Sequence, residues 1–424
     1  MKNTDVIIIS GGEGTRFKKI QSKPKIITKF KGKKIINIIF NNLNKFNIRN
    51  IHILCGKNEK LIRNSINKKK NIFFYKEKKL LGTAGSLSII NRDKLSKDVL
   101  IIFGDLLFDI DFQKFYNFHK KLNSDLTIFS HPSDHLYDSD ILDVNENNQI
   151  TNIFFKPHRS NLITNNITMA GVFIIKKNFL NEIPKNRNND FSRYLLKKLL
   201  KKGKKLICYN SREYCKDFGT PERFVKVKKD YKNKIHKFRS IKNRMPAIFL
   251  DRDGVINKDQ GPYTYSNPFS FKKNAIKALL KLRKSRYLIF LITNQPSVAK
   301  GFISYDYLIQ SFKKYELYLS KKGFYFDKIY FCPHHPKKGF QGENLLYKKS
   351  CSCRKPKPGL IFKANKEFNL DLKKSYFIGD TANDYSAALN AKVKPIILNK
   401  NFKNKKNCKY TRSILEAVNY ILNK

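Results

Sequence analysis

The sequence has no tryptophan, only three methionines and no long hydrophobic run. Among its 424 residues, 33 are acidic and 87 are Lys or Arg, so the formal net charge is +54. No apolar stretch approaches the roughly 20 residues that a bilayer-spanning helix needs. The apolar start at residues 6–9 is shorter than a secretory signal and runs directly into Gly11 and Gly12. These shortages predict a cytoplasmic protein with no membrane partner.

Cysteine is also scarce, and its distribution is uneven. The chain has seven cysteines, an odd number that argues against a disulfide framework in a protein without a signal sequence. Three of them, Cys332, Cys351 and Cys353, lie near His334, which points to a metal site. The remaining four are expected to be ordinary reduced thiols.

The excess of basic residues raises the question of nucleic acid binding, because a basic surface can neutralise phosphates. The lysines are nevertheless scattered through every segment, including predicted helix faces such as the one with Lys197, Lys198 and Lys201. Asn and Ile are over-used together with Lys, and all three have AT-rich codons. Solvated helix faces therefore explain the charge, and we expect no nucleic acid partner.

Short β-branched segments alternate with amphipathic stretches, a pattern typical of α/β proteins. The chain is too long for one hydrophobic core, and a polar, lysine-rich stretch interrupts the pattern. We predict two domains, residues 1–233 and 245–424, joined by a linker at 234–244. Each domain is expected to be a mostly parallel, Rossmann-like sheet with helices on both faces. Buried strands are predicted at residues 6–9, 51–55, 99–103, 126–129, 172–175, 247–250, 288–292, 376–378 and 395–398.

A glycine-rich loop, Ser-Gly-Gly-Glu-Gly-Thr-Arg, follows the first predicted strand at residues 10–16. Backbone N–H groups at glycines can approach phosphates closely, and Arg16 can neutralise their charge. The loop is neither a Walker loop nor the dinucleotide fingerprint, because the spacing differs from both. Further motifs follow in order: Lys-Pro-Lys at 23–25, Leu-Gly-Thr-Ala-Gly at 81–85, Gly-Asp at 104–105 and Asp-Phe-Gly-Thr-Pro-Glu at 217–222.

This ordered set resembles the sugar-phosphate nucleotidylyltransferase family over residues 5–227. The resemblance implies that a sugar phosphate attacks the α-phosphorus of a nucleoside triphosphate and expels pyrophosphate. Cations would reduce the repulsion between these two anionic substrates. It implies a Mg²⁺ ion between Asp105 and Asp217. The other positions that match are the nucleotide-binding glycines Gly11, Gly12, Gly14, Gly82 and Gly85, and the catalytic cations Arg16 and Lys25.

Two positions depart from that family's pattern. The chain has Phe155-Lys-Pro where the family often has Glu-Lys-Pro, and Met169-Ala-Gly where it often has Asn-Ala-Gly. Lys156 is still expected to bind the sugar phosphate. The sugar-hydroxyl contact usually made near Met169 is expected to change.

A second series of polar residues begins after the predicted strand at 247–250. Asp251 and Asp253 are one residue apart, so one carboxylate can attack phosphorus while the other protonates the leaving oxygen and later activates water. The later members can hold phosphoryl oxygens or a magnesium ion, and they are Thr293, Asn294, Lys355 and Asp380. The order resembles the haloacid-dehalogenase phosphatase superfamily over residues 246–398. The resemblance implies Mg²⁺ held by Asp251, Asp253 and Asp380.

The cysteine group lies between the threonine and lysine motifs. Cys332 and His334, followed by Cys351 and Cys353, offer four ligands and no open position, which predicts a structural zinc site. With Cys-Pro-His-His-Pro at 332–336 and Cys-Ser-Cys-Arg-Lys-Pro at 351–356, the loop is similar to that of the heptose 1,7-bisphosphate phosphatases. Histidinol-phosphate phosphatases share this loop. The chain has Thr381 where heptose phosphatases often have lysine.

Two fused activities usually serve one pathway. The resemblances therefore imply that the protein removes the 7-phosphate of D-glycero-D-manno-heptose 1,7-bisphosphate and joins the heptose 1-phosphate to a guanylyl group from GTP, with the GDP-activated α-anomer as product. The same architecture acting on another sugar phosphate or on UTP, CTP or dTTP is an alternative, as is a histidinol-phosphate-type phosphatase fused to a nucleotidylyltransferase. A basic nucleic-acid-binding protein with inactive domains is the alternative from a different class. The sequence leaves the oligomeric state open.

Overall fold

The protein folds into two compact units. The computed structural model describes residues 3–12, 23–66, 71–133, 136–159, 162–261 and 269–424. The first unit comprises Met1–His131, Ser139–Pro157 and Ile167–Ile241, and the second comprises Pro132–Asp138, His158–Asn166 and Lys242–Lys424. The main boundary lies after Ile241, inside the range predicted as a linker. The assignment of two short earlier segments to the second unit was not expected from the sequence.

The first unit contains the glycine-rich motifs. Its described strands are β1 (Thr4–Ile9), β2 (Lys29–Phe30), β3 (Lys33–Lys34), β4 (Ile48–Leu54), β5 (Ile72–Tyr75), β6 (Asp98–Phe103), β7 (Leu106–Asp109), β8 (Leu126–His131), β9 (Ile141–Val144), β10 (Ile150–Phe154), β11 (Thr168–Lys176), β12 (Leu206–Asn210) and β13 (Tyr214–Asp217). Its described α-helices are α1 (Ile35–Leu43), α2 (Glu59–Arg63), α3 (Gly82–Gly85), α4 (Phe112–Lys121), α5 (Lys197–Lys201), α6 (Pro221–Lys232) and α7 (Ile235–Phe238).

The main sheet of this unit has the strand order β10-β9-β11-β6-β1-β4-β5, with β8 pairing with both β11 and β12. The strands β6, β1, β4 and β5 are parallel, whereas β11 runs antiparallel to β6 and β8. Successive residues of a strand face opposite sides. Accordingly, Val6 and Ile8 pack in the core that contains α1, while Ile7 and Ile9 pack in the core that contains Leu199 of α5. The sheet is therefore covered on both faces.

A separate ribbon of β7 and β13 brings the two aspartates of the first unit together. The two strands are antiparallel, and Asp217 at the end of β13 lies opposite Leu106. Asp105 immediately precedes β7. The backbone N–H of Phe218 donates to the Asp105 carbonyl at 3.1 Å, which closes the ribbon beside both carboxylates.

The second unit is built on a fully parallel sheet. Its described strands are β14 (Ala247–Leu250), β15 (Leu288–Asn294), β16 (Lys328–Cys332), β17 (Tyr376–Gly379), β18 (Lys394–Ile397) and β19 (Lys409–Tyr410), in the order β16-β15-β14-β17-β18-β19. Its described helices are α8 (Ala275–Arg283), α9 (Tyr305–Lys321), α10 (Gly359–Phe368), α11 (Ala382–Asn390) and α12 (Ile414–Leu422).

Both faces of this second sheet are apolar. Ile248 and Leu250 pack against α8, α9 and α12. Phe249 points the other way, with its ring 5.6 Å from that of Phe290 and 6.4 Å from that of Phe377. A strand buried on both faces has an almost continuous apolar sequence, which is why these strands were predictable. The α/β class with helices on both faces is confirmed.

Across the described ranges of the chain, no helix combines the length and the apolar character that crossing a membrane requires.

Candidate active sites

The residues expected to handle phosphate in the second unit lie at one edge of its sheet. Asp251 follows β14, Thr293 lies near the end of β15, and Asp380 follows β17. These three strands are neighbours and parallel, so their carboxyl ends meet at the same edge, where open α/β sheets bind ligands. The backbone N–H of Asp251 donates to the carbonyl of Ile378 at 3.0 Å, which fixes its position against β17.

Lys355 is the buried cation of this edge. Its Nζ lies 2.8 Å from Asp251 Oδ1 and 2.6 Å from Asp384 Oδ1, and its side chain is 3% exposed. Burial alone would lower the pKa of Lys355, but the carboxylates of Asp251 and Asp384 raise it above its ordinary value. Asn294 holds the lysine backbone from both sides, with its Nδ2 donating to the Lys355 carbonyl at 3.1 Å and its Oδ1 accepting from the Lys355 N–H at 3.0 Å. The lysine is therefore fixed and charged.

Asp253 is held by two polar side chains. Arg252 donates from Nε to Oδ1 and from Nη2 to Oδ2, both at 2.9 Å. Gln295 donates from Nε2 to Asp253 Oδ2 at 3.2 Å and to Thr293 Oγ1 at 2.9 Å. The Asp253 side chain remains 24% exposed. It is thus oriented but accessible, as a proton donor to a leaving group must be.

The carboxylates at this edge fit a divalent cation. Asp251, Asp380 and Asp384 each offer an oxygen, and the three oxygens lie within 4.8 Å of one another. Asp380 Oδ1 is buried without a hydrogen-bond partner, and hard oxygen ligands suit Mg²⁺. Burial is the main reason that the pKa of Asp251 is raised to about 7 and that of Asp380 to about 6. Gly254 makes room for this cluster, because a Cβ there would lie 1.8 Å from Asp380 Oδ2.

The membership of this cluster differs from the sequence expectation. Asp253 was expected among the magnesium ligands. Its carboxylate, whose two oxygens accept from Arg252, is not part of this cluster, and its role as a ligand stays a prediction. Asp384, which was not predicted, belongs to the cluster. It lies four residues after Asp380 on the first turn of α11, where Thr381 caps the helix and donates to Asp384 Oδ2 at 2.6 Å from Oγ1. The sequence signal that could have identified it is a second aspartate four residues after Asp380.

The four residues predicted to bind zinc come together. Cys332 ends β16, and its Sγ lies 3.6 Å from His334 Nδ1 and 3.6 Å from Cys351 Sγ. Cys353 Sγ lies 3.2 Å from the sulfurs of Cys332 and Cys351 and 3.3 Å from His334 Nδ1. A tetrahedral ion with Zn–S bonds of about 2.3 Å separates its ligands by about 3.8 Å. The donor set therefore fits a small tetrahedral metal after slight expansion.

The predicted transferase site centres on Gly219. A Cβ added there would lie 3.4 Å from Asp217 Oδ1, 3.4 Å from Lys25 Nζ and 3.5 Å from Asp105 Oδ2. Lys25 also pairs directly with Asp105 at 3.0 Å. Two carboxylates and one ammonium thus surround a single point. Because Mg²⁺ commonly takes one or two protein carboxylates together with phosphate oxygens and water, these residues fit it.

The glycine-rich motifs of the first unit lie against close backbone neighbours. A Cβ at Gly11 would lie 2.4 Å from Glu77 Oε1 and 3.0 Å from the backbone N of Gly56. Glu77 is a buried carboxylate that also accepts from the Leu81 N–H at 3.3 Å, and burial raises its pKa. It links the first loop to the Leu-Gly-Thr-Ala-Gly motif. Sequence reasoning missed this residue, and an isolated Glu in a polar stretch gave no signal for it.

Gly82 and Gly85 are needed for packing within the unit. A Cβ at Gly82 would lie 2.5 Å from Asn189 O, and one at Gly85 would lie 2.1 Å from Arg187 O. Gly82 also has a φ of +70°. Their role in nucleotide binding stays a prediction. Among the described residues, none has an atom within 4 Å of a Cβ added at Gly12.

Three other predicted positions complete the description. Gly14 and Arg16 lie outside the described residues. The backbone N–H of Lys156 donates to Asp140 Oδ1 at 3.2 Å, two residues beyond the end of β10. Burial raises the pKa of Asp140, a residue that sequence reasoning missed.

The two sites define a class of protein: a two-unit α/β enzyme of phosphate chemistry, with a carboxylate–lysine site in each unit. The profile described as nucleotidyl transferase matches residues 5–234, and the HAD-hydrolase-like profile matches residues 352–419. The chain belongs to the nucleotidyl transferase family, and its C-terminal part is similar to phosphatases. Transferase and phosphatase, the two enzyme classes expected from the sequence, are confirmed.

Several proteins similar to the C-terminal part share the name D-glycero-beta-D-manno-heptose-1,7-bisphosphate 7-phosphatase. The protein of that name from Photorhabdus laumondii is 40% identical over 149 residues, which are 35% of this chain and 77% of the relative. The one from Pasteurella multocida is 41% identical over 152 residues, 36% of this chain and 80% of the relative. The structure is also similar to the crystal structure of HddC from Yersinia pseudotuberculosis, with 24% sequence identity and a TM-score of 0.46. The matched part is 54% of this chain and 99% of the HddC chain.

Proposed function

We propose that the protein is a bifunctional enzyme of nucleotide-sugar synthesis. Its second unit removes the 7-phosphate of D-glycero-D-manno-heptose 1,7-bisphosphate. Its first unit transfers a guanylyl group from GTP to the resulting heptose 1-phosphate and releases pyrophosphate. The observation that carries the proposal is the buried Lys355 between Asp251 and Asp384, in a region 40% identical to heptose bisphosphate 7-phosphatases.

The phosphatase step follows from the oxygens of Asp251. Its Oδ1 accepts from the Arg252 N–H at 2.8 Å and from Lys355 at 2.8 Å, which leaves Oδ2 as the oxygen that attacks phosphorus. Asp253, in its protonated form, gives its proton to the leaving sugar oxygen as the bond between phosphorus and that oxygen breaks, and Asp251 Oδ2 forms the aspartyl phosphate. Asp253 then takes a proton from the water that hydrolyses the aspartyl phosphate. Thr293 and Asn294 lie at the same edge, where they can bind phosphoryl oxygens.

A magnesium ion held by Asp251, Asp380 and Asp384 would supply charge stabilisation for the transferring phosphoryl group. Lys355 adds a fixed positive charge beside the attacking oxygen. Zinc held by Cys332, His334, Cys351 and Cys353 would be structural, because all four ligands come from the protein. It would order the loop that leads directly into Lys355.

The transferase step joins two anions. The phosphate oxygen of the heptose 1-phosphate attacks the α-phosphorus of the nucleotide, and the bond to the β-phosphate oxygen breaks. Lys25 and the expected cation Arg16 neutralise the phosphates, while Asp105 and Asp217 would hold the magnesium ion. The choice of guanine is inferred from the pairing of this transferase with a manno-heptose phosphatase. The relatives' name specifies the β-anomer, so the anomer used here needs a direct test.

A competition experiment tests both activities together. The protein is incubated with the α- and β-anomers of the heptose bisphosphate and with equal concentrations of GTP, ATP, CTP, UTP and dTTP, and the products are identified by mass. We expect release of the 7-phosphate and a dominant GDP-heptose product. A dominant UDP- or ADP-heptose product would contradict the guanylyl assignment, and absence of phosphate release from both anomers would contradict the phosphatase assignment.

A further inference from the structure

Both carboxylates of the transferase site are already paired with basic side chains. Lys25 binds Asp105 at 3.0 Å. Arg223 donates from Nη1 to both oxygens of Asp217, at 2.7 and 2.9 Å. Lys25 was expected from the sequence, whereas Arg223 was not.

The position of Arg223 is fixed by the start of a helix. Thr220 caps α6, with its Oγ1 accepting from the Arg223 N–H at 3.3 Å. The arginine is thus six residues after Asp217 in the chain but directly beside it in space. Its side chain is 24% exposed and that of Asp217 is 41% exposed, so a ligand can reach both.

The pairing conflicts with the role proposed for Asp217. Arg223 Nη1 occupies the position between the two Asp217 oxygens, so a cation that binds the carboxylate at that position must displace the guanidinium. Within the described residues, Asp105 and Asp217 are each paired with one basic group, so an added divalent cation leaves Arg223 beside excess positive charge. Among the proposed reactants, only the phosphates of the triphosphate and of the sugar phosphate can restore the balance.

We propose that Arg223 is a phosphate-binding residue of the transferase site, which leaves Asp217 when that carboxylate ligates a divalent cation and then pairs with a phosphate of one of the two anionic substrates. The guanidinium presents parallel N–H donors that match phosphate oxygens as well as carboxylate oxygens. The inference rests on the proposed transferase function. The alternative is that Arg223 only neutralises Asp217 and never contacts substrate.

The test uses the full-length protein and three variants. Arg223→Gln removes the charge, Arg223→Lys keeps it without the fork, and Lys228→Gln removes one charge from an exposed position on the same helix. Circular dichroism checks folding. Mn²⁺ binding is measured by electron paramagnetic resonance without substrates, and KM values are then measured separately for GTP and for heptose 1-phosphate.

In Arg223→Gln we expect Mn²⁺ to bind about 3- to 10-fold more tightly, because the competing ion pair of a part-exposed site is lost. We also expect the KM of one substrate to rise about 10-fold or more, since a charge-assisted hydrogen bond to phosphate is lost. Arg223→Lys should lie between Arg223→Gln and the wild type, and Lys228→Gln should match the wild type. The substrate whose KM rises identifies the phosphate.

Unchanged KM values for both substrates in a folded Arg223→Gln variant would overturn the proposal, whatever the Mn²⁺ result. Equal effects of Lys228→Gln and Arg223→Gln would also overturn it, since general charge would then explain the change. If the wild type transfers no nucleotide to the sugar phosphate, the proposed function fails. In that case the Mn²⁺ affinities of the wild type and Arg223→Gln still test whether a cation displaces Arg223 from Asp217.

Discussion

Replacement of Lys355 by methionine tests the buried cluster of the second unit. Methionine has a similar length but no charge, so Asp251 and Asp384 lose the ammonium that lies 2.8 and 2.6 Å from them. Removing one partner of a buried ion pair costs about 3–5 kcal/mol, because the other charge stays buried without compensation. The 3% exposure of the lysine side chain places the site in that class. We therefore expect Lys355→Met to destabilise the second unit by several kcal/mol at neutral pH and to abolish phosphatase activity.

The loss should depend on pH, with a sign that follows from linkage. Burial already raises the pKa of Asp251 to about 7, and removal of Lys355 raises it further because the lysine lowers it in the intact protein. An acid whose pKa is higher in the folded than in the unfolded state destabilises the fold as pH rises above its unfolded value of about 3.9. The penalty should therefore be smallest near pH 5 and largest near pH 8.

The loss of stability is measured by urea unfolding in magnesium-free buffer. Hydrogen–deuterium exchange in peptides from β14 and β17 monitors the unfolding of the second unit. Lys357→Met is the matched control, because Lys357 is an exposed lysine of the same loop. The double variant Lys355→Met/Asp384→Asn should recover part of the lost stability, since one of the unpaired carboxylates is removed. A Lys355→Met protein as stable as Lys357→Met at pH 8 would refute the reasoning.

Three further outcomes follow from the two sites. Asp251→Asn should abolish phosphate release, since an amide cannot form the aspartyl phosphate, while transfer from supplied heptose 1-phosphate should persist; phosphatase activity within a few fold of the wild type would contradict the nucleophile assignment. Asp217→Ala should stop pyrophosphate release but spare the phosphatase, and unchanged transfer would mean that the metal lies elsewhere. Purified protein should contain about one zinc per chain, and Cys351→Ser should lose it and then lose phosphatase activity; active protein without zinc in a metal analysis would exclude this.

The central strands of both units were predictable because they are buried. The nine predicted strands all occur, and Asp251, Asp380 and Asp105 follow three of them. The antiparallel direction of β11 was not predicted, since it depends on pairing with β6 and β8 rather than on the strand's own apolar sequence. Ten other described strands were missed, among them β12 and β16.

The partners of the site residues were much less predictable than the site residues themselves. Arg252 and Arg223 lie one and six residues from the carboxylates that they bind. Gln295 lies 42 residues from Asp253, and Glu77 lies beside Gly11, so these two contacts are created only by the fold. For Gly82 and Gly85 the sequence predicted nucleotide binding but not their packing role. Their close approach to residues 187–189 is a property of the fold.

Four of the five carboxylates proposed to hold magnesium, all except Asp380, are paired with basic side chains in the described structure. Asp105 is paired with Lys25 and Asp217 with Arg223, while Asp251 and Asp384 share Lys355. A metal-binding carboxylate therefore has a positive neighbour before any ion arrives, which lowers the cost of keeping several carboxylates close together. The same neighbours compete with the ion.

In the second unit the competition between the basic side chain and the ion is limited, because Lys355 leaves Asp380 Oδ1 unengaged. In the first unit both oxygens of Asp217 are engaged. Since phosphates can take over the released basic groups, we expect the transferase site to bind its metal more tightly with substrate present than without it, and the phosphatase site to show a smaller difference.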